Sequence, residues 1–279
     1  FNASVASTTF GTLNMIGGTL NMGSGTTTIN TAFTYTSGTF NHNNGTTAFI
    51  FPTTASITAS SGAAVLNNVF IDYPFNSGGA VTMLFASNMT VNGNFIVQNT
   101  NPSNGPLTLQ SSVSSTNRTI TVTGTFLTPS TSGSGSITIG PSTGTALISF
   151  DLKGDMNLVD SGVTVNADMN FSGSSTQTIS RSGGTISALS DWTDTGSGNL
   201  ALTANFAGSM NLVTDDSNDF NFVPTAFTFT AGSVLVSTST AFNPEGPSSY
   251  IITTANLYSG TFNASVASTT FGTLNMIGG

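Results

Sequence analysis

The chain has 279 residues, of which only 5% are charged, with three Lys and Arg against 11 Asp and Glu and a formal net charge of −8. This acidic balance argues against nucleic-acid binding and disfavours an anionic membrane as a partner, because both need a basic face. The absence of cysteine excludes disulfides and thiolate zinc sites. The 37% of hydrophobic residues supply enough apolar material for a core, which excludes a charged disordered tract. The segment contains no run of 18 apolar residues, which is about the length that would predict a membrane-spanning helix.

The first 18 residues, FNASVASTTFGTLNMIGG, recur without change as the last 18, from Phe262 to Gly279. The offset of 261 residues predicts a tandem array in which residues 1–261 form one period and residues 262–279 begin the next, identical period. A second interpretation is a filament of separate subunits with identical ends, in which the terminal segment of one subunit replaces that of its neighbour. Both interpretations predict copies of the same chain as partners.

A shorter repeat follows the shared segment and indicates what the structural unit is. Residues 18–29 read GTLNMGSGTTTI, residues 38–49 read GTFNHNNGTTAF, and residues 260–271 read GTFNASVASTTF. When the copies are aligned, they give one glycine column, one amide column and two apolar columns, in which like side chains can stack. The predicted ladder consists of Gly18, Gly38 and Gly260; Asn21, Asn41 and Asn263; Leu20, Phe40 and Phe262; and Ile29, Phe49 and Phe271.

A period near 20 with this Gly, Asn and apolar signature predicts an all-β fold, a β-solenoid or parallel β-helix with coils of about 20 residues. One period would then hold about 13 coils and advance roughly 60 Å along the stack. Between Phe51 and Tyr258 the 20-residue rhythm is lost, but short runs that alternate or are apolar throughout still predict strands. These runs are residues 63–71, 80–85, 90–97, 119–127 and 225–237, and loops are predicted at residues 129–143 and 243–249.

Few residues carry the chemistry of a catalytic or metal site. His42 is the only histidine, so one period cannot assemble a histidine triad or a histidine metal cluster, and we expect neither an enzyme nor a cofactor. Asp215, Asp216 and Asp219 form a calcium candidate, because clustered oxygen ligands suit that ion, and a solvated turn is the alternative. Asp191 and Asp194 beside Trp192 form a weak sugar-site pattern of acids next to an aromatic ring.

The segments GTFNHNNGTTAF (38–49) and STQTIS (175–180) resemble repeats of very large bacterial surface proteins. That group includes filamentous-haemagglutinin-like and autotransporter adhesins with parallel β-helical stalks. The resemblance covers the style of the repeat, and it implies an extracellular or cell-surface location and no catalytic residues. The predicted function is therefore a structural component of a filament, sheath or adhesin stalk, stacking end to end through repeated coils. The alternative is a carbohydrate-binding adhesin module with surface glycans as partners.

Overall fold

The computed structural model describes residues 2–3, 7–59, 64–76, 78–103, 105–112, 116–130, 135–141, 148–175, 177–186, 192–194, 200–202, 209–212, 220–222, 227–244, 249–262 and 268–276. Side chains are described as far as residue 184, with gaps at some strand ends, and again at residues 273–275. Every regular element in these ranges is a β-strand, and every pairing between them is parallel. The predicted fold class, an all-β parallel β-solenoid, is confirmed.

The strands of the first half are β1 (Asn2–Ala3), β2 (Ser7–Met22), β3 (Thr26–Asn41), β4 (Thr46–Phe49), β5 (Ala55–Ala59), β6 (Ala64–Leu66), β7 (Asn68–Ile71), β8 (Val81–Phe85), β9 (Met89–Val91), β10 (Phe95–Val97), β11 (Leu107–Ser111), β12 (Arg118–Val122), β13 (Phe126–Thr128) and β14 (Ile137–Ile139). Those of the second half are β15 (Ile148–Leu152), β16 (Met156–Leu158), β17 (Val163–Val165), β18 (Asp168–Phe171), β19 (Gln177–Arg181), β20 (Thr185–Ile186), β21 (Trp192–Asp194), β22 (Leu200–Leu202), β23 (Ser209–Leu212), β24 (Phe220–Phe222), β25 (Phe227–Pro244), β26 (Ser249–Phe262) and β27 (Ser268–Met276).

From β4 to β21 each coil contributes one strand to each of three parallel ladders, and β22 continues the first of them. The first ladder contains β4, β7, β10, β13, β16, β19 and β22, and the second contains β5, β8, β11, β14, β17 and β20. The third ladder is a separate six-stranded sheet of β6, β9, β12, β15, β18 and β21. The long strands near the two ends span several ladders, since β3 pairs with both β4 and β5, and β25 pairs with β22, β23 and β24. The chain therefore winds as a three-sided coil.

The register of the first ladder gives the length of each coil. Ser7 of β2 pairs with Thr26 of β3, and β26 and β27 are offset by the same 19 residues. In the middle of the chain Phe95 pairs with Phe126 and Phe126 with Met156, which makes coils of 31 and 30 residues. Eleven steps lead from β2 to β27, fewer than the 13 expected from a uniform period. At about 4.8 Å per coil, these steps advance the stack about 53 Å.

The extra residues of the long coils lie in loops between ladders. The predicted loop at residues 129–143 contains β14, because Ile137 and Ile139 are fully buried and alternate with the partly exposed Thr138, as a half-buried strand requires. At residues 243–249 the chain is strand at both ends, since Asn243 lies in β25 and Ser249 begins β26. A strand therefore interrupts the first predicted loop, and strands overlap both ends of the second.

Alternating burial along the short strands builds one continuous core. In β13, Phe126 and Thr128 are buried while Leu127 between them faces outward and is partly exposed. Phe95 and Phe126 stack with ring centroids 5.7 Å apart and planes inclined by 11°, and Phe150 of the third sheet meets Phe126 edge-on at 4.9 Å. Each fully buried Phe contributes roughly 1.5–3 kcal/mol through the hydrophobic effect. These inward columns therefore contribute to cohesion between coils, beside the backbone hydrogen bonds of the ladders.

Candidate functional site

The amide column lies at the start of the stack. The side chain of Asn41 donates a hydrogen bond to Oδ1 of Asn21, and Asn21 Nδ2 donates to Oδ1 of Asn2 at 2.5 Å. Asn2 is the sequence copy of Asn263, which lies outside the described residues. The backbone pairs these residues directly, coil upon coil. The amide column thus joins three successive coils through side-chain hydrogen bonds.

The glycine column lies beside the amide column at the bend of the coil. Gly18 has a φ of +76° and Gly38 a φ of +105°, in the left-handed region that favours glycine. A Cβ on Gly38 would overlap the carbonyl oxygen of Gly18, whereas a Cβ on Gly18 would meet nothing within 4 Å. Gly260 lies within β26, and its surroundings are outside the described part.

The apolar columns of the ladder pair in the same register. Leu20 pairs with Phe40, and Ile29 pairs with Phe49; Ile29 and Phe49 are fully buried. Phe10, the sequence copy of Phe271, pairs with Ile29 on its other side. At the far end of the stack, Phe262 pairs with Phe242 and Phe271 with Ile252, two apolar partners that the sequence repeat alone did not identify.

His42 belongs to a tight turn between β3 and β4. The turn is closed by a hydrogen bond from Gly45 N to the His42 carbonyl oxygen at 2.8 Å, and Asn43 and Asn44 have φ values of 45° and 60°. Asn44 N also donates to His42 Nδ1 at 3.1 Å, so the ring must be neutral at that nitrogen. Partial burial lowers the pKa of His42 below its ordinary value, which keeps the accepting form populated. The histidine therefore holds a turn.

A buried carboxylate network holds the long loop after β10. Asp72 is 6% exposed and accepts hydrogen bonds from Thr100 N at 3.0 Å, from Thr100 Oγ1 at 2.8 Å and from Gln98 Nε2 at 3.1 Å. Asn99, fully buried, donates to the carbonyl oxygens of Gly105 and Ser136 at 2.8 and 3.0 Å. Because the polar groups are satisfied within the protein, this network is structural.

The outer face of the third ladder carries an open depression of about 700 Å³, which we call the outer groove. Its polar lining consists of Thr119, Ser149, Asp151, Lys153, Asp168, Asn170 and Ser172. Asn170 Nδ2 donates to Asp151 Oδ1 at 2.9 Å, and the hydroxyls of Thr119 and Ser149 are 3.1 Å apart. The exposed Lys153 makes no ion pair with any described residue and also borders a second depression of about 690 Å³. The outer groove thus presents carboxylates, hydroxyls and one ammonium group on a rigid sheet.

Of the residues predicted for a calcium or a sugar site, Trp192 and Asp194 lie in the described part of the chain. Asp215, Asp216, Asp219 and Asp191 lie outside the described residues. Trp192 and Asp194 are in β21, where Trp192 pairs with Met169 and Asp194 with Phe171, both fully buried. Trp192 therefore continues a register column that the preceding coils fill with core residues. In the described part of the chain, no three His, Cys, Asp or Glu side chains are close enough to hold a metal ion.

A second glycine column, at the corner between the third and the first ladder, could not be recognised from the fixed period of the sequence repeat. A Cβ on Gly124 would lie 2.6 Å from the Gly93 carbonyl oxygen, and one on Gly154 would overlap the carbonyl oxygen of Gly124. The signal was present in VNGNF (91–95), VTGTF (122–126) and LKGDM (152–156), where glycine and one residue on each side separate two apolar residues. Spacings of 31 and 30, far from the expected 20, concealed it.

A threonine column on the outer face of the second ladder was missed for the same reason. Successive coils pair Thr82, Thr108, Thr138 and Thr164 directly, each of them partly exposed. The underlying pattern is one Thr between two inward apolar residues, as in Leu107 and Leu109 of β11. The stack therefore carries single-residue columns on its outside as well as in its core.

Comparison with known proteins returned no relative: no family model, no curated protein and no solved structure matches the chain. Among the described residues, no helix is long and apolar enough to cross a membrane. Of the predicted resemblance to bacterial surface proteins, the structure supports the fold alone, which is a parallel β-sheet fold compatible with a β-helix.

Proposed function

We propose that this chain is a structural component of an extracellular filament, sheath or adhesin stalk whose β-coils stack end to end. The observation that carries the proposal is the unbroken series of parallel pairings from β2 to β27. The segment Ser7–Met15, which begins β2, has the same sequence as the segment Ser268–Met276, which forms β27. A stack that returns to its own sequence can be extended by repeating one kind of pairing.

The chemistry of the ladders supports a mechanical role. Neighbouring coils contact each other through inward columns of Phe, Ile, Leu and Met, through the amide column at Asn21 and through the glycine columns. The described residues contain no disulfide. Like charges stacked at the spacing of neighbouring strands would repel each other, so a chain with only 5% charged residues suits such a stack. We propose a cell-surface or extracellular location and a non-enzymatic function on these grounds and on the resemblance to bacterial surface repeats.

A second candidate function, binding of carbohydrate, is favoured by the outer groove. Its carboxylates at Asp151 and Asp168, with Lys153 and neighbouring hydroxyls, could hydrogen-bond a polyhydroxylated ligand. The aromatic platform proposed at Trp192 receives no support from the register, because this position continues a core column. Titration of neutral oligosaccharides, with Asp151→Asn/Asp168→Asn as the groove variant and Thr108→Val on another face as the control, tests this candidate.

The structural proposal is tested by locating the protein on the cells that produce it. An antibody raised against the folded chain, with gold-labelled detection in the electron microscope, should decorate filaments, sheaths or stalks outside the cell at regular intervals. Decoration confined to the cytoplasm, or to isolated particles without extended structures, would contradict the proposal. Cells from which the coding sequence has been deleted supply the control.

A further inference from the structure

The outer groove continues past the edge of the third ladder. Lys153 and Ser172, which line the outer groove, also line the second depression of about 690 Å³ at the corner towards the first ladder. The two depressions therefore form one continuous surface, which we call the extended groove. It follows the strand direction, and on its middle coil it runs from Ser149 to Asp155, about 20 Å measured along an extended chain.

The size and lining of the extended groove suit an oligomeric ligand that carries many hydroxyls. Each depression alone has the volume of a small-molecule site, which is roughly 300–1,000 Å³, so a ligand that fills both is a chain of rings. A serine or threonine hydroxyl both donates and accepts hydrogen bonds, as sugar hydroxyls do. To the hydroxyls of the outer groove, the second depression adds those of Thr123, Thr125, Ser174 and Ser175.

One hydroxyl, shared by the two depressions, is left unsatisfied by the fold. Ser172 Oγ is buried and makes no hydrogen bond with any described residue, although buried polar atoms are nearly always satisfied. The backbone of Ser172 is fixed, because its N–H donates to the carbonyl oxygen of Leu152 at 2.8 Å. No such bond holds the side chain, so rotation to another staggered χ1 position can turn the hydroxyl towards the groove. The missing partner is therefore one that a ligand in the groove can supply.

The extended groove is acidic. It contains the carboxylates of Asp151, Asp155 and Asp168 and the single ammonium group of Lys153, which leaves a formal charge of −2. Asp151 and Asp155 each accept a hydrogen bond from an uncharged amide, at 2.9 and 2.7 Å. These donors hold the two carboxylates in place without neutralising them. The groove therefore attracts positively charged groups and repels anionic glycans.

From this lining we propose that the extended groove binds an oligosaccharide of amino sugars whose amines are unsubstituted and protonated. The ammonium groups of the ligand pair with the carboxylates of Asp151, Asp155 and Asp168, and its hydroxyls pair with those along the groove. Lys153 lies between the two depressions and repels the ammonium groups, so it lowers the affinity. This inference rests on carbohydrate binding, the second candidate function, and names the class of sugar.

The first test compares ligands on the unmodified full chain, so it does not depend on the folding of any variant. Isothermal titration calorimetry at about pH 5.5, where amines are protonated and aspartates ionised, compares the tetramer of glucosamine with the uncharged tetramer of N-acetylglucosamine. The glucosamine tetramer should bind at least about tenfold more tightly. Spermine carries the same number of amines without the sugar hydroxyls, and it should bind at least about tenfold more weakly than the glucosamine tetramer.

The second test assigns the binding to the extended groove. Asp151→Asn/Asp168→Asn should weaken binding of the glucosamine tetramer by roughly 2- to 30-fold, whereas Lys153→Gln, which keeps a donor but removes the charge, should strengthen it by up to about fivefold. Ser172→Ala should weaken binding by about two- to tenfold without lowering the melting temperature, since the hydroxyl has no partner in the fold. Thr108→Val, on the second ladder, is the control and should bind as the unmodified chain does.

The outcomes separate this inference from the function on which it rests. Equal affinity for the two tetramers, or tighter binding of the N-acetylated one, would overturn the selection of amines and leave carbohydrate binding standing. Spermine binding as tightly as the glucosamine tetramer would show that the groove recognises charge alone, which also overturns the inference. If neither tetramer nor any neutral oligosaccharide binds, both this inference and the carbohydrate-binding function are wrong.

Discussion

Gly38 lies directly over Gly18, so closely that a side chain on Gly38 would overlap the carbonyl oxygen of Gly18. The two residues come from sequence copies 20 positions apart, and both have left-handed backbone geometry. This contact lets successive coils bend at the same place without losing the spacing of the strands on either side. Substitution of either glycine would strain the backbone, but only a side chain on Gly38 would also overlap other atoms, so the two positions distinguish strain from steric overlap.

Gly38→Ala should destabilise the first coils more than Gly18→Ala does. Both substitutions place alanine in the left-handed region, which costs about 1–2 kcal/mol. Only Gly38→Ala also forces a Cβ against backbone atoms of the coil beneath it. Hydrogen exchange of the amides in β2 and β3 measures the difference. Equal protection in the two variants would contradict the close stacking.

Asn21→Ala should weaken the start of the stack, because Asn21 both donates to Asn2 and accepts from Asn41. Two lost hydrogen bonds at about 0.5–1.5 kcal/mol each predict a loss of roughly 1–3 kcal/mol in local stability. Asn157→Ala is the control, since Asn157 faces outward on β16 and has no described side-chain hydrogen bond. Hydrogen exchange in β1 to β3 measures the loss. An effect no larger than that of the control would show that the amide column does not stabilise the stack.

Phe126→Ala should cost about 3–5 kcal/mol, as expected when a fully buried ring leaves a cavity in a core. The ring stacks on Phe95 of the preceding coil and also touches Phe150 of its own coil, so contacts are lost both between coils and across the core. Leu127→Ala, one residue further along β13 but facing outward, is the matched control and should change stability by far less. Urea denaturation of both variants checks the order. A larger loss in Leu127→Ala would mean that the assignment of inside and outside is reversed.

The stability of the chain should fall slightly as the pH decreases through the ordinary pKa of His42, about 6.5. Because burial lowers the pKa of His42 in the folded state, the unfolded chain binds the proton more readily in this range. The contribution is complete above pH 6.5, decreases below it, and stops changing once the pH is below the folded-state pKa. In His42→Asn this change should disappear, because Asn can accept the Asn44 N–H bond without titrating. Thermal melts between pH 8 and pH 5 compare the two chains, and identical slopes would show that the pKa of His42 is not lowered in the folded chain.

The sequence predicts the solenoid most directly where coil length is constant. The alignment of residues 18–29 with residues 38–49 gives the register that the backbone adopts, from the Thr19–Thr39 pair to the Ile29–Phe49 pair. With constant coil length, each position meets the same neighbour, and stacking forces like residues into columns. The repeat is then visible by eye.

The middle coils could not be placed by that method because their loops differ in length. Gly93, Gly124 and Gly154 lie at one corner, but 30 residues separate the first two glycines and 29 separate the next two, because the loops within these coils differ in length. Their positions could have been found by searching for an apolar pair flanking x-Gly-x without a fixed period. The outer groove and the Asp72 network could not be predicted from the sequence, because each joins residues whose spacing depends on those loop lengths.

Electron cryomicroscopy of the native material is the most direct test of the proposed stack. Filaments with a strand spacing of about 4.8 Å along the axis and a longer axial repeat of about 53 Å are expected, since eleven coils separate the two copies of the shared segment. Compact particles without an axial repeat, or filaments whose strands run along the axis, would contradict the end-to-end solenoid.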